Sequence, residues 1–577
     1  LLYHDAVAMT GGQPLDGTLT VPGVLAQLNA EGVAAIAVVT DQPDKYAGGL
    51  SVPVHDRSEM DAVQKQMRGI PGTTVIVYDQ TCAAEKRRRR KKHEFPDPDR
   101  RIFINSAVCE GCGDCGVQSN CVAILPLETE FGRKRSIDQS ACNKDFSCVN
   151  GFCPSFISVS GARPRSASTR WNEVALPEPV LPAIDKSYAL LFAGIGGTGV
   201  VTIGAILGMA SRLEGKGCAL LDMTGLAQKG GSVISHVRFL PDPGVVAANR
   251  IAAGEADAII GADMLVAVNS ALEGARFGKT RAVINLAQVL PGSFTRDRDL
   301  KFPIIEARRK LDQAVGEGRI TYVEASRMAT EAFGDGIFAN LLLLGIGYQE
   351  GMIPVTSQSI ETAIELNGVA VTKSLHAFRY GRRVVSEPGF GSPLPLPKAV
   401  TEMTVEEIIA HRKRHLLAYQ NEAHAVRYQL LVDQIATAES ALRGSIGSLT
   451  RAVAINLAKL MSYKDEYEVA RLYSTPEFRE QLETELEGIR RIRIHLAPPL
   501  LSRTDPTSGR PIKRTFGPWI FGMFRVLRRL NWLRGTMLDP FGYSQERRAE
   551  RTLSAEYSAW LEEVAADLTE ETYSDVI

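Results

Sequence analysis

Seven of the nine cysteines in this 577-residue chain lie within one short stretch. It opens with Cys109-Glu-Gly-Cys112-Gly-Asp-Cys115, a spacing that lets three thiolates reach one cluster, as in bacterial [4Fe–4S] ferredoxin loops. The fourth ligand of such a cluster comes from a distant cysteine followed by proline, and Cys153-Pro154 has that form. These four cysteines predict one [4Fe–4S] cluster and a role in electron transfer.

Three further cysteines, Cys121, Cys142 and Cys148, lie between those ends. Seven cysteines are one fewer than two all-cysteine cubanes need, so a second cluster would require a non-cysteine ligand or fewer irons. Disulfides belong mainly to small secreted domains, and structural zinc usually uses two separated C-x₂-C pairs. An iron–sulfur module over residues 101–162 is therefore the favoured interpretation.

The residues before this module alternate between helical and strand patterns. Helical patterns at Val21–Leu28 and Met60–Met67 lead into apolar strands at Val33–Thr40 and Thr74–Tyr78. This alternation over residues 1–82 predicts a parallel sheet that is covered on both faces.

Seven consecutive cations, Lys86–Lys92, lie in the segment 83–100 between that sheet and the cysteines. Such a run is usually a solvated, self-repelling linker. The alternative is a docking patch for an acidic redox partner, because complementary charge raises association rates. A Pro/Ser-rich connection, residues 163–186, follows the cysteine module.

A second α/β region is predicted over residues 187–390. Its first strand, Tyr188–Ala193, runs into a glycine-rich loop, and a helical pattern then continues to about Leu213. Further strands are predicted near Cys218–Asp222, Ser232–Phe239, Ala258–Val268 and Ala282–Asn285. From Thr401 the pattern is mostly helical, so residues 391–577 are expected to form a helical extension.

The glycine loop contains Gly194, Gly196, Gly197 and Gly199. Its G-x-G-x-x-G spacing between a strand and a helix fits a dinucleotide phosphate held at the helix N-terminus, with Asp222 near the place of a ribose-binding carboxylate. The alternative is that the glycines only allow close packing of the strand against the helix. A flavin- or NAD-linked iron–sulfur carrier is the function that the dinucleotide interpretation would imply.

Several polar side chains have weaker claims to a function. His236 lies on a predicted strand, where a hydrogen-bonded core histidine is more usual than a catalyst. Gln228 and Lys229 would either contact a carboxylate or phosphate or lie in solvent. The basic, aromatic-containing stretch Arg503–Arg548 superficially suggests nucleic acid, but its helical setting favours packing within or between subunits.

Global composition excludes some classes of partner. Lys and Arg number 66 and Asp and Glu also number 66, so no overall field favours nucleic acid or an anionic membrane. The longest apolar run, Ile337–Tyr348, is too short to span a bilayer. No signal peptide is visible, and a cytoplasmic location is expected. Since the chain starts at Leu1 in a strand pattern, we expect it to be N-terminally incomplete.

Several segments together resemble the 2-oxoacid:ferredoxin oxidoreductases, specifically the long fused bacterial form of indolepyruvate ferredoxin oxidoreductase. The glycine loop with Gly225-Leu-Ala-Gln-Lys-Gly-Gly-Ser-Val-Ile-Ser-His236 resembles the family's gamma domain, and the cysteine stretch from Cys109 to Cys121 its ferredoxin insert. Ala8-Met-Thr-Gly-Gly-Gln-Pro14 resembles the end of its thiamine-diphosphate motif, and Lys464–Arg471 and His495–Leu500 resemble the helical extension.

This resemblance implies an α/β multidomain protein with a partial thiamine-diphosphate-binding domain, a small iron–sulfur module, a gamma-type domain and a mostly helical C-terminal domain. It implies oxidative decarboxylation of an aryl 2-oxoacid, with transfer of the acyl group to coenzyme A and of electrons through [4Fe–4S] to ferredoxin. The full-length protein is expected to be a homo-oligomer, with no nucleic acid or membrane as partner.

The resemblance also carries cofactor-binding roles onto the N-terminal residues. Positions His4 and Ala6 correspond to a side-chain and a backbone ligand of the Mg²⁺ that holds the diphosphate, and Met9, Thr10 and Gly11 would border thiamine. His4 departs from the pattern, because Mg²⁺ prefers oxygen ligands and imidazole is a poor one. The motif's upstream Asp is absent from this chain, so a non-enzymatic scaffold is an alternative for the chain in isolation.

Overall fold

The computed structural model describes most of the chain, namely residues 1–3, 17, 19–165, 174–225, 231–289, 294, 297–391, 398–498, 502–504 and 509–576. The N-terminal candidates and the two polar loop candidates lie outside these ranges: His4, Ala6, Met9, Thr10, Gly11, Gln228 and Lys229.

The first unit is a small parallel sheet with a helix against each face, as its sequence pattern predicts. Its elements are β1 (Leu2–Tyr3), α1 (Val21–Ala30), β2 (Ala35–Thr40), β3 (Val54–Asp56), α2 (Met60–Arg68) and β4 (Thr74–Asp79). The strand order is β1–β4–β2–β3, and all three pairings are parallel. Val38 packs on the α1 side and Val39 on the α2 side, so alternate residues of β2 fill two separate apolar cores.

The cationic run is not a linker. It forms a helix, α3 (Ala83–Lys91), whose side chains bind three different parts of the protein. Lys86 pairs with Asp41 of the first unit, Arg87 donates to the Ala141 carbonyl oxygen at 2.5 Å, and Lys91 pairs with Asp335. Because these contacts hold the cations against the protein, the run is also not a free docking patch.

The cysteine module is built on an antiparallel sheet and a β-ribbon. Its elements are β5 (Arg101–Ile104), α4 (Asp114–Ser119), the ribbon β6 (Ile124–Thr129) and β7 (Gly132–Ile137), β8 (Phe156–Ser160) and β9 (Arg163–Pro164). The module is not self-contained, contrary to the predicted limits of 101–162. Two strands from the C-terminal region, β17 (Arg491–Leu496) and β18 (Arg514–Phe516), complete its sheet in the order β18–β17–β8–β5.

The central α/β unit contains a six-stranded mixed sheet with helices on both sides. Its strands are β10 (Tyr188–Ile195), β11 (Gly217–Thr224), β12 (Ser232–Leu240), β13 (Ala258–Gly261), β14 (Arg281–Asn285) and β15 (Ile320–Val323). Its helices are α5 (Val200–Leu213), α6 (Met264–Gly274), α7 (Ile304–Val315), α8 (Ala325–Phe333), α9 (Ala339–Gln349), α10 (Ser357–Asn367) and α11 (Val371–Ser386). The predicted strand Ala258–Val268 is too long, because Asp263 accepts from the Val266 N–H and caps α6.

The C-terminal region is mostly helical, as predicted, but it also contributes strands. Its helices are α12 (Val405–Tyr419), α13 (Glu422–Arg443), α14 (Ser448–Met461), α15 (Glu466–Leu472), α16 (Pro476–Glu485), α17 (Ile520–Leu527), α18 (Gln545–Asp567) and α19 (Glu570–Val576). Its strands are β16 (Leu486–Glu487), β17 (Arg491–Leu496) and β18 (Arg514–Phe516). No helix in the described ranges is long and apolar enough to cross a bilayer.

Candidate functional site

Three closely spaced cysteines and the later Cys153 come together at one end of the cysteine module. The turn after β5 directs Cys109 inward, since the Cys109 N–H donates to the Asn105 carbonyl oxygen at 3.0 Å. Gly111 has a φ of +68°, and a Cβ there would lie 2.2 Å from the Arg133 carbonyl oxygen. A Cβ on Gly151 would lie 2.9 Å from Cα of Cys115. The loops that carry the cysteines therefore pass too close to their neighbours for any other residue at these glycines.

The thiols of this first cysteine set (Cys109, Cys112, Cys115 and Cys153) interact with one another. The interaction with Cys153, together with burial, raises the pKa of the Cys109 and Cys112 thiols. The same interactions lower the pKa of Cys153. Burial raises the pKa of Cys115 to about 11, and the nearby Cys153 acts in the same direction. The arrangement groups the four residues as the C-x₂-C-x₂-C…C-P pattern predicts.

The remaining three cysteines form a second cysteine set (Cys121, Cys142 and Cys148). All three are half-buried and pack against the same apolar core. Burial raises the pKa of Cys148 to about 12, and the charges of Cys121 and Cys142 add to this effect. The seven cysteines thus separate into a set of four and a set of three.

Neither set has the geometry of a site for one metal ion. In the part of the chain that the structure describes, no group of three or more His, Cys, Asp or Glu side chains is placed to hold a single ion. A [4Fe–4S] cluster makes a different demand, because each thiolate binds a different iron of the cubane. The donor type and number in the first set fit such a cluster.

Buried positive charge surrounds the first cysteine set. Arg135 is 2% exposed, and its guanidinium interacts electrostatically with Cys115 and Cys109. Its Cζ lies 4.7 Å from the centre of the Phe294 ring. Lys134 is 8% exposed, and burial lowers its pKa to about 8. Neither cation has an ion-pair partner among the described residues. Buried charges without partners are costly, so this set fits a bound group that carries negative charge.

The C-terminal region encloses the same set from the other side. Lys513 Nζ donates to the carbonyl oxygens of Cys153 at 2.7 Å and of Val149 at 3.1 Å. Lys464 Nζ donates to the Cys109 carbonyl oxygen at 3.1 Å, and the Tyr473 hydroxyl donates to the Pro154 carbonyl oxygen at 2.6 Å.

None of these three residues was among the sequence candidates. A lysine or tyrosine more than 300 residues from the cysteines has no local pattern that connects it to them. The sequence analysis included Lys464 in the resemblance of Lys464–Arg471 to the family's extension and Lys513 in the basic stretch Arg503–Arg548, but neither signal connected these residues to the cysteines.

Arginines also lie around the second cysteine set. Arg90 and Arg101 lie near Cys142, and Arg100 lies near Cys148. Burial lowers the pKa of each arginine, whereas the neighbouring cysteine raises it. A cavity of about 110 Å³ reaches Cys142 and joins a larger one of about 410 Å³ along Arg101, Lys91, Gln139 and Ser140. Both cysteine sets are therefore in electropositive surroundings.

The glycine loop lies between β10 and α5. Gly194 is on the strand, where a Cβ would come within 2.8 Å of Val200 Cγ2 and 3.1 Å of Ala262 Cβ. Gly197 and Gly199 have φ angles of +85° and +97°, and Asn340 Nδ2 donates to the Thr198 carbonyl oxygen at 3.0 Å. Close strand–helix packing therefore requires Gly194, and the turn favours glycine at positions 197 and 199.

The sheet order removes the main support for a dinucleotide site. Strand β12 runs antiparallel between β10 and β11, so Asp222 on β11 is two strands away from the glycine loop. Two strand spacings are about 10 Å, and the Asp222 carboxylate accepts from the Ser235 hydroxyl. The expectation that Asp222 lies in a ribose-binding position was wrong, because a hairpin strand occupies the place of the adjacent parallel strand.

Two weaker candidates have structural roles. His236 is 6% exposed, and its Nδ1 accepts from the Ile251 N–H at 3.2 Å, which confirms the interpretation as a core histidine. Described arginines of the basic stretch 503–548 form ion pairs within the chain, in line with the predicted packing. Arg510 forms a bidentate ion pair with Asp114 at 3.0 and 2.8 Å, and Arg534 pairs with Asp465.

Two family models match the chain. The model described as pyruvate ferredoxin/flavodoxin oxidoreductase matches residues 189–384, and a family of unknown function (DUF6537) matches residues 405–577.

Curated relatives carry the name indolepyruvate oxidoreductase subunit IorB. The protein from Pyrococcus horikoshii is 27% identical over 207 residues, which cover 35% of this chain and 98% of the relative. The protein from Archaeoglobus fulgidus is 29% identical and covers 33% of this chain and 92% of its own length.

Solved structures add gamma-type neighbours. Pyruvate oxidoreductase subunit PORC of Thermotoga maritima covers 34% of this chain and 96% of its own, with 18% identity and a TM-score of 0.25. A keto/oxoacid ferredoxin oxidoreductase gamma subunit from Geobacter sulfurreducens covers 35% of this chain and 99% of its own, with 20% identity and a TM-score of 0.24. Residues 189–384 of this chain thus match the pyruvate ferredoxin/flavodoxin oxidoreductase family model, and proteins named indolepyruvate oxidoreductase subunit IorB are similar to about a third of the chain.

Proposed function

We propose that this chain is the electron-transfer and gamma-domain part of an enzyme that oxidatively decarboxylates aryl 2-oxoacids to acyl-CoA and passes the electrons to ferredoxin. The aryl specificity is supported by relatives named indolepyruvate oxidoreductase subunit. The observation that carries the proposal is the first cysteine set, where four grouped thiols lie among buried cations.

The residues have distinct roles in this proposal. Cys109, Cys112, Cys115 and Cys153 would hold one [4Fe–4S] cluster, which supplies one-electron transfer when bound. The protein would exclude water there, since Cys109, Cys115 and Cys153 are 3 to 6% exposed. Cys121, Cys142 and Cys148 would hold a second cluster with a different fourth ligand or fewer irons.

The remaining cofactors are proposed for regions that adjoin the cysteine module. Residues 1–82 are proposed to be the C-terminal part of a thiamine-diphosphate domain, residues 187–390 a gamma domain, and coenzyme A a co-substrate. The candidate Mg²⁺ and thiamine contacts lie outside the described residues, so that part of the proposal depends on the resemblance alone. Ferredoxin and a homo-oligomer of the full-length protein are the proposed partners.

The cluster part of the proposal can be tested on the 577-residue chain purified without oxygen. We expect about four irons and four sulfides for the cluster of the first cysteine set, and an electron paramagnetic resonance signal after reduction with dithionite. A chain that contains zinc and no acid-labile sulfide would contradict the proposal.

The substrate is tested with the chain as part of the active enzyme, supplied with thiamine diphosphate, Mg²⁺, coenzyme A and ferredoxin. Indolepyruvate should support CoA-dependent ferredoxin reduction better than pyruvate or 2-oxoglutarate does. Equal or faster turnover with pyruvate would refute the aryl specificity but leave the oxidoreductase class intact. NADH-dependent reduction of the cluster would instead favour the flavin- or NAD-linked alternative.

A further inference from the structure

The C-terminal region that matches a family of unknown function completes the cysteine module. Strand β17 pairs with β8 from Arg491–Ser160 to Ile494–Ile157, and β18 then pairs with β17. Strand β8 begins at Phe156, three residues after Cys153. The C-terminal region therefore supplies the neighbour of the strand that follows the fourth cysteine.

Lys513 connects this added sheet to the cysteine loop. It lies just before β18, and its Nζ bridges two carbonyl oxygens, those of Cys153 at 2.7 Å and Val149 at 3.1 Å. Its ammonium group also lies 5.2 Å from the centre of the Phe156 ring. Three contacts thus hold one positive charge against the segment that carries Cys153.

This charge has no carboxylate partner in the described part of the chain. The other lysine at the site, Lys464, pairs with Glu110 at 2.7 Å and donates to the Cys109 carbonyl oxygen. Lys513 is accordingly a cation without an ion pair that the C-terminal region places beside the first cysteine set, and the nearby Asp114 carboxylate is itself paired with Arg510. Lys464 adds a charge that Glu110 partly offsets.

We propose that the C-terminal region acts as an outer shell of the iron–sulfur site, and that Lys513 is a positioning residue that raises the reduction potential of the cluster. The inference depends on the proposed cluster in the first cysteine set. On reduction the cluster takes one electron from the donor and becomes one charge more negative, with no bond made or broken. A fixed ammonium group nearby stabilises that state more than the oxidised one, and hydrogen bonding and charge near clusters are known to set their potentials.

The test is a redox titration of the 577-residue chain with dithionite as the reductant. The midpoint potential is read from electron paramagnetic resonance spectra recorded at a series of potentials. At a given applied potential, Lys513→Met should lower the reduced-to-oxidised ratio of the cluster about tenfold. For a one-electron couple this corresponds to a midpoint potential that is lower by about 59 mV. Lys513→Arg keeps the charge and should restore most of the potential. Lys464→Met should shift it in the same direction by less, because Glu110 offsets part of that charge.

Lys413→Met is the matched control, because Lys413 is an exposed lysine on α12 of the same region. It should leave the potential unchanged. An unchanged potential in Lys513→Met with full iron content would overturn the inference, as would an equal shift in the Lys413→Met control.

Lys464→Met decides the matter if Lys513→Met loses its cluster. A lowered potential in that variant supports the outer-shell role, and an unchanged one overturns it. Absence of any iron–sulfur signal in the unsubstituted chain would refute the proposed function first and this inference with it.

Discussion

At the scale of single residues, the site is defined by which side chains are buried beside the cysteines. The thiols of the first set are grouped, as their spacing predicts, but the cations around them come from three distant segments. Arg135 lies on the β-ribbon, Lys464 precedes α15, and Lys513 precedes β18. Spacing along the chain identifies ligands because a loop is local, whereas the charge that balances them is assembled by folding.

Substitution of one cysteine should separate the ligands from the other cysteines. Cys112→Ser removes one thiolate of the first set, and we expect loss of the visible iron–sulfur absorption that this cluster contributes. Cys218→Ser is the control, since Cys218 lies on β11 of the central unit. Iron analysis and absorption spectra are the measurements, and a full cluster content in Cys112→Ser would exclude Cys112 as a ligand.

His495 should make stability depend on pH. It is 5% exposed, its Nε2 lies 2.6 Å from Ser158 Oγ, and burial lowers its pKa to about 4. The unfolded chain takes up a proton below about pH 6.5 while the folded chain does not, so stability falls as pH falls from there towards 4. The full effect is up to about 3 kcal/mol.

The variant His495→Gln should flatten this dependence. Chemical denaturation at several pH values between 4 and 7 measures it, since these values bracket the pKa of about 4 and the unperturbed pKa near about 6.5. His93→Gln removes an exposed histidine and is the control. An unchanged pH slope in His495→Gln would show that another group is responsible.

At the scale of elements, the pattern along the chain predicts most helices and strands but not their partners. The parallel strands of the first unit and β10 with α5 agree with the sequence. The run Lys86–Lys92 was predicted to be a solvated, self-repelling linker, but most of it lies in helix α3, where Asp41, Glu85, Asp335 and carbonyl groups balance its charges. Strand β17 lies in a region predicted as mostly helical, because its place between β18 and β8 depends on a strand from another part of the chain.

Glu439 illustrates how one element stabilises the next. From the last turn of α13 its carboxylate accepts from the N–H groups of Gly447, Leu449 and Thr450, at 3.0, 3.0 and 2.9 Å. Burial alone would raise the pKa of Glu439. Hydrogen bonds to its carboxylate, of which those from Thr450 and Tyr573 have the largest effect, outweigh burial and lower the pKa to about 2. The carboxylate therefore caps the N-terminus of α14.

Glu439→Gln should destabilise this helical region by about 2 kcal/mol at neutral pH, since an amide accepts fewer and weaker bonds. The stabilisation from Glu439 is present above about pH 4.5 and is lost as pH falls towards 2, so the difference between wild type and variant should shrink there. Urea denaturation followed by circular dichroism measures it. Glu563→Gln, an exposed change on α18, should have little effect.

At the scale of the whole molecule, the cysteine module is held between the other units. Helix α3 connects it to the first unit and, through Lys91 and Asp335, to the central unit. Arg135 reaches the Arg298 carbonyl oxygen at 3.0 Å, and the C-terminal strands complete its sheet. We therefore expect the module and the C-terminal region to unfold together.

Ile494→Ala tests this coupling. Ile494 and its cross-strand partner Ile157 are both 0% exposed, so the cavity left by the substitution should cost about 2 to 4 kcal/mol. Circular dichroism and iron–sulfur absorption should be lost in one coincident transition at lower temperature. Ile512→Ala, at a side chain that is 51% exposed, is the control. Separate transitions for the two probes would show that the module folds independently.

The sequence by itself determined the four-cysteine grouping, the α/β character of two units, the helical character of the C-terminal region and the family resemblance. These features depend on spacing and periodicity among neighbouring residues. Only the tertiary structure decided that Asp222 is remote from the glycine loop, that the cationic run is a bound helix, and that Lys513 lies at Cys153. Sheet order and the balance of buried charge depend on contacts between residues as far apart as Ser158 and His495, 337 positions in sequence, which no local pattern encodes.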